Sequence, residues 1–200
     1  MGVLKKFLKQ FKKPEGFFGR VAGYLMAKEP EKSDWTVSLL NPTDSARVLE
    51  VGFGPGIAIE ALSQKVTEGY IAGIEISEVM IKAASKRNKE AIDKGIVDLR
   101  FVNVSDMLPF EEKFDYILSV NNFMFWENPI NTLMNLRERL KPNGKIAITI
   151  HPRAKGATNE TTKKFGEKII DCLKEAGYSE NQIHFKKMKP VDCVCVIAIN

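Results

Sequence analysis

Two hundred residues, 44% of them hydrophobic and 28% charged, suit a single globular domain with a core large enough to need no disulfide or metal staple. A net charge of +5 permits a polyanionic partner but is not the dense basic stripe of a dedicated nucleic-acid binder, so no nucleic-acid partner is expected. No apolar run reaches the length of a membrane span and the N-terminus has no signal-peptide h-region, which makes the cytoplasm the expected compartment.

In chain order, Val3, Leu4, Phe7, Leu8 and Phe11 fall at helical spacing beside five lysines, and Pro14-Glu15-Gly16 breaks that pattern. A second helix is predicted from Phe17 to Ala27. A third follows Ser33 as N-cap and stops at Asn41-Pro42, so residues 1–42 read as an N-terminal helical cap. From Ala46 the pattern changes. ARVLEVG reads as a buried strand, GIAIEALSQKV as a helix, YIAGIEI as a strand, and SEVMIKAASKRNKEAIDKG as one helix from Ser77. The strands VDLRFVNV and FDYILSVN follow, then the helix PINTLMNLRERL, the turn KPNG and the strand KIAITI. After a polar stretch come the helix TKKFGEKIIDCLKEAG and the strands QIHFKKM and DCVCVIAI. Strands alternating with helices imply parallel βαβ units and a doubly wound α/β sheet. Lys189-Pro190-Val191 is too short for a crossover helix, so the last two strands should be antiparallel neighbours. Residues 46–150 form the core, 151–200 add the final helix and strand pair, and 1–200 read as one domain.

The stretch VLEVGFGPG places Gly52, Gly54 and Gly56 at the carboxyl end of the first strand, the edge where α/β folds bind ligands. Glycines there let a ligand approach the backbone, although structural turns use them too. A dinucleotide fingerprint requires a third glycine at position 57, which is Ile, and this counts against a nicotinamide-dependent oxidoreductase. Glu75 ends the second strand, where a carboxylate can accept both hydroxyls of a ribose. Asp106 follows the third strand in a loop at the same edge, placed either to read an adenine amino group or to make a local turn. After the fourth strand come two amides and three aromatics, NNFMFW. Amides in a core are costly unless bonded, whereas at a pocket mouth Asn121 and Asn122 can orient a ligand.

Together VLEVGFGPG, GIEIS, VSDMLPF, FDYILSVNNFMFW and LKPNGKIAI resemble, in order and spacing, the class I S-adenosylmethionine-dependent methyltransferases over roughly Ala46 to Ile150. The resemblance implies a Rossmann-like seven-stranded sheet with an antiparallel last strand, and S-adenosyl-L-methionine as cofactor. It implies that Gly52, Gly54 and Gly56 pass beside the methionine moiety, that Glu50 braces the loop, and that Glu75 holds the ribose. Ile76 and Met107 would flank adenine, Asp106 would read its amino group, and Asn121 would lie near the transferred methyl. Phe53 and Ser105 stand in the same motifs and, with Met80 just after GIEIS, complete the implied cofactor set.

Methyl transfer from a sulfonium needs orientation and a dry site more than a triad, and none is present. His151, at the end of the fifth strand, is the candidate base, and His184 inside a late strand is a weaker one. The acceptor is argued partly from absences: no N-P-P-[YFW] follows the fourth strand, and no Pro-Cys pair of the cytosine-C5 type is present. A small-molecule acceptor, including a lipophilic one, is expected. Phe17, Phe18, Asn122, Phe123 and Trp126 are substrate-pocket candidates, with Trp35 and Phe125 as further aromatics of the cover. An RNA or protein methyltransferase and a non-catalytic cofactor-binding relative are the alternatives. The basic N-terminal helix either packs on the domain or contacts an anionic membrane peripherally. No metal site is expected. Cys193 and Cys195 share a strand face, as buried small hydrophobes or as a thiol pair for a soft metal.

Overall fold

The computed structural model describes residues 30–107 and 110–200. The two helices predicted before residue 28, with Phe17 and Phe18, lie outside these residues. The described chain begins with α1 (Glu31–Leu40), which starts ahead of the predicted Ser33 cap. Pro30 occupies the N-cap position and its carbonyl accepts from the Ser33 and Asp34 N–H groups, while Ser33 is buried within the helix. Asn41 closes it in the left-handed conformation, with φ 45°.

The remaining elements are β1 (Arg47–Val51), α2 (Ile57–Ser63), β2 (Tyr70–Glu75), α3 (Glu78–Arg87), α4 (Lys89–Asp93), β3 (Val97–Phe101), β4 (Phe114–Val120), α5 (Pro129–Glu138), β5 (Leu140–Ile150), α6 (Asn159–Glu175), β6 (Ser179–Lys186) and β7 (Cys193–Ile199). They form one seven-stranded sheet in the order β3-β2-β1-β4-β5-β7-β6. β1 to β5 are parallel, and β7 runs antiparallel between β5 and β6. This is the Rossmann-like sheet with its antiparallel strand. The order reverses between β1 and β4, so the carboxyl ends of those two strands bound the switch point.

Strands covered on both faces lose the polar alternation of a half-exposed sheet. Along β1, Val48 faces one layer and Leu49 the other. Val48, Ile71, Leu118 and Cys195 pack under α1, α2 and α3, through Val37, Leu40, Ile59, Leu62 and Ala84. Leu49, Ile74, Ile117, Ile148 and Val196 pack under α5 and α6, through Leu133, Leu136, Ile169 and Leu173. Each fully buried Leu or Ile side chain contributes about 2 kcal/mol of transfer free energy. Only the edge strands β3 and β6 carry exposed positions along much of their length.

Two elements differ from the sequence expectation. The helix predicted from Ser77 breaks at Asn88 into α3 and α4, because the Asn88 side chain turns back to bond the backbone. KPNG is not a turn ahead of a strand but lies inside β5. Pairing with β4 jumps from Phe114↔Leu140 to Tyr116↔Lys145, five residues against two, and Asn143 takes φ 62° in the resulting bulge.

Candidate active site

At the carboxyl edge of β1 the loop Gly52–Gly56 is folded by three separate constraints. Gly52 has φ +73°, and its N–H extends the β1–β2 ladder to the Ile74 carbonyl at 2.8 Å. A Cβ there would lie 1.8 Å from Asn122 Nδ2, so the amide of the post-β4 turn fills the space of a side chain at position 52. Gly56 has φ +78°, and a Cβ would lie 2.7 Å from Ala84 Cβ, where α3 abuts the loop. Between them the Gly54 N–H donates to Glu75 Oε2 at 3.0 Å. A Cβ at Gly54 would meet no described residue within 4 Å, so no described side chain covers the crest of the loop.

Glu75 is the hub. Its Oε1 accepts from the Ile76 N–H at 2.8 Å and the Ser77 N–H at 3.0 Å, and its Oε2 accepts from Gly54. Burial raises its pKa, against the pull of these three donors. Glu50, 2% exposed beneath the loop, is pushed up to about 8 by burial and then by the Glu75 carboxylate. One of its oxygens accepts from the Ile59 N–H in the first turn of α2, and its Oε2 has no partner among the described residues. The Glu75 carboxylate beside the glycine crest suits a ligand that carries a diol, as S-adenosylmethionine does.

The two amides after β4 point in different directions. Asn121, at φ 53°, accepts the His151 N–H on Oδ1 at 2.7 Å and so ties the end of β4 to the end of β5. Asn122 instead lies over Gly52, and its Oδ1 accepts from the Trp126 indole N–H at 2.6 Å. An indole N–H can only donate, so this bond fixes the amide with Nδ2 toward the loop. Phe123 and Trp126, expected to line an acceptor pocket, are 3% and 9% exposed. They meet edge-to-face at 5.2 Å in the core cluster with Met107 and Leu133, and so act as packing.

His151 sits at the predicted edge, but its ring is a strut. Nε2 donates to the Val191 carbonyl at 3.0 Å and Nδ1 accepts from Arg153 Nη2 at 3.3 Å, a tautomer set by the carbonyl. Asp106 is exposed in a short 3-10 turn, where its Oδ1 accepts from Ser105 Oγ at 3.1 Å. Phe53 is buried, turned inward over Gly73, where a Cβ would lie 2.6 Å from its ring. Met80 and Met107 are also buried side chains. The fold thus joins Gly54, Glu75 and Ile76 by hydrogen bonds, sets Asn122 against Gly52, ties Asn121 to His151 at the ends of β4 and β5, and leaves Phe53, Met80, Phe123 and Trp126 in the interior.

Two residues at the site carry no sequence expectation. Arg87 Nε donates to the Pro55 carbonyl at 3.1 Å and Asn88 Nδ2 to the Gly56 carbonyl at 3.1 Å. The available signal was an Asn inside a helical pattern, a residue that favours helix ends. Among the described residues no group of three His, Cys, Asp or Glu side chains is placed to hold a metal. Cys193 and Cys195 share the predicted face, and burial pushes both thiols up to about 12.

Comparison with known proteins bears on the family and the fold. The family described as "Methyltransferase domain" matches residues 49–148. An uncharacterized methyltransferase of Bacillus subtilis (strain 168), YdaC, is 37% identical over 181 residues, covering 89% of this chain and 97% of that protein. The ubiquinone biosynthesis O-methyltransferase of Histophilus somni (strain 2336) is 27% identical over 123 residues, 58% of this chain and 50% of that protein. The N-methyltransferase NodS of Bradyrhizobium japonicum WM9, solved with S-adenosyl-L-homocysteine, superposes with a TM-score of 0.66 at 18% identity over 86% of each chain, a likeness of fold.

Proposed function

The chain belongs to the class I S-adenosylmethionine-dependent methyltransferases, and from that premise we propose that its acceptor is a small, lipophilic molecule. The observation that carries this reading is the lip of the site beside the glycine loop. Met124 is exposed and Phe125 half-buried in the turn that also sets Asn122 over Gly52. That lip is apolar with one oriented amide, which suits an acceptor with an apolar body and a polar reacting end. The partial likeness to a protein of ubiquinone biosynthesis supports the same class.

S-adenosylmethionine supplies a methyl group already activated on a sulfonium, so orientation and water exclusion are what the protein must add. Glu75 would hold the ribose hydroxyls, with Gly54 shaping the loop against it, and Glu50, which keeps its proton up to about pH 8, would brace the loop from beneath. Asp106 would read the adenine amino group from its exposed turn. Asn122 would turn its Nδ2 to the acceptor or the methionine end, and no residue of the described site is assigned as a general base.

The test is a screen for S-adenosylhomocysteine release with quinone-type phenols, acyl carboxylates and small amines, set against transfer RNA and peptide pools. Release with lipophilic small molecules is the expected result. Turnover confined to RNA or protein would overturn the acceptor class. Tight cofactor binding with no release from any pool would point instead to a non-catalytic relative.

A further inference from the structure

We propose that Asn88, assisted by Arg87, is a positioning residue for the methyl donor, holding the glycine loop in its binding shape from the far end of α3. The inference rests on the loop and Glu75 being the S-adenosylmethionine site.

A loop with three glycines in five positions has few side chains of its own to fix it, and glycine loses more backbone freedom on ordering than any other residue. Something outside the loop must hold it. Its last two carbonyls are both taken by the end of α3. Arg87 Nε donates to Pro55 O at 3.1 Å, and Arg87 Nη1 is 2.8 Å from Glu60 Oε2 in α2. Asn88 Nδ2 donates to Gly56 O at 3.1 Å and to Ala84 O at 2.9 Å, so one amide joins the loop to the last turn of α3. A Cβ at Gly56 would lie 2.6 Å from that amide and 2.7 Å from Ala84 Cβ, so this approach itself requires the glycine.

The other end of α3 begins at Glu75. Ser77, the N-cap of α3, gives its N–H to Glu75 Oε1 and accepts the Met80 N–H on Oγ at 3.4 Å. The loop then returns to Glu75 through the Gly54 N–H. Glu75, α3, Asn88 and the loop therefore close a ring, in which the ten-residue helix, about 15 Å long, is the rigid member that links the Glu75 contact at its start to the Asn88 contact at its end. Asn88 is 4% exposed, yet its Oδ1 has no partner among the described residues. A buried acceptor left unpaired costs stability, so packing alone does not explain an Asn here. The two N–H bonds to the loop and helix do.

The experiment compares S-adenosylmethionine binding by calorimetry in the wild type, Asn88→Ala and Ala91→Gly, each well below its melting temperature. Ala91 lies in α4 and its methyl side chain can make no hydrogen bond to the loop, so Ala91→Gly lowers stability without touching the tether. Asn88→Ala is expected to weaken binding at least tenfold and to raise hydrogen exchange at the Gly54 amide in the absence of ligand. Ala91→Gly should stay within twofold of wild type. Should Asn88→Ala fail to fold, Arg87→Leu carries the test, with a threefold or greater loss expected. Equal affinity in the wild type and the tether variant, with only the melting temperature lowered, would overturn the proposal and leave the cofactor site intact. No binding by folded wild type would overturn the cofactor site itself, and the tether role with it.

Discussion

Replacing Gly52 with Ala puts two defects at one atom. At φ +73° a Cβ costs about 1–2 kcal/mol, because the left-handed region crowds it against the backbone. The same Cβ would lie 1.8 Å from Asn122 Nδ2 and 2.3 Å from its Cγ, so the amide must move away. Its movement breaks the 2.6 Å bond from the Trp126 indole and strands a largely buried N–H, worth about 1–3 kcal/mol. The entropy that Ala removes from the unfolded chain returns about 0.4–1 kcal/mol. The net expectation is a loss of about 3 kcal/mol in urea denaturation, with an unchanged m-value. The physical cause is separable. In an Asn122→Gly background no amide stands in the way, and Gly52→Ala should cost only the backbone part, about 1 kcal/mol. The coupling between the two sites is then about 2 kcal/mol. An identical cost of Gly52→Ala in both backgrounds would refute the assignment of Asn122 as the neighbour that demands a glycine.

Three further outcomes follow from the buried groups. Glu50 holds its proton up to about pH 8 in the folded chain, against about 4.5 when unfolded, so folding takes up a proton in between. Stability of the ligand-free protein should therefore fall as pH rises from about 4.5 to 8, by as much as about 5 kcal/mol, then level off. Glu75, raised in the same direction, adds to that slope. Glu50→Gln should flatten much of it in denaturation curves taken at pH 5 to 9, and a wild-type stability that rises over this window would contradict the burial argument. Cys193 and Cys195, both pushed up to about 12, should resist a thiol reagent at pH 8 in the folded protein and react only on unfolding. Rapid labelling of either in the native state would sink the reading of them as core residues. His151→Asn, which cannot reproduce both ring bonds, should lower the melting temperature with little change in cofactor affinity. A loss confined to turnover would restore His151 as a base.

Much of the fold was legible because strands buried on both faces read as short apolar runs, and the helices between them keep their own period. The short join before β7 fixed the antiparallel pair for the same reason: a few residues cannot cross over. The site was legible where backbone geometry restricts residue type, at Gly52, Gly54 and Gly56, and where a carboxylate ends a strand, at Glu75. It was not legible where direction decides. Asn121 and Asn122 are adjacent and chemically alike, yet one braces β5 and the other fills the space above Gly52. Phe123 and Trp126 look like a pocket wall in sequence, but the 3-10 turn after β4 folds them into the core. Asn88 acts across 32 residues on Gly56, a contact that no local pattern announces. The three residues that β5 gains over β4 at its bulge hide inside a sequence that reads as an ordinary turn.

The central claim is that the loop crest at Gly54, with Glu75 beside it, holds S-adenosylmethionine. Isothermal titration of the folded protein with that cofactor, with NADH as control, tests it most directly. One site per chain for S-adenosylmethionine, none for NADH, and at least a tenfold loss in Glu75→Ala is the expected result. No binding by folded wild type, or an unchanged dissociation constant in Glu75→Ala, would contradict it.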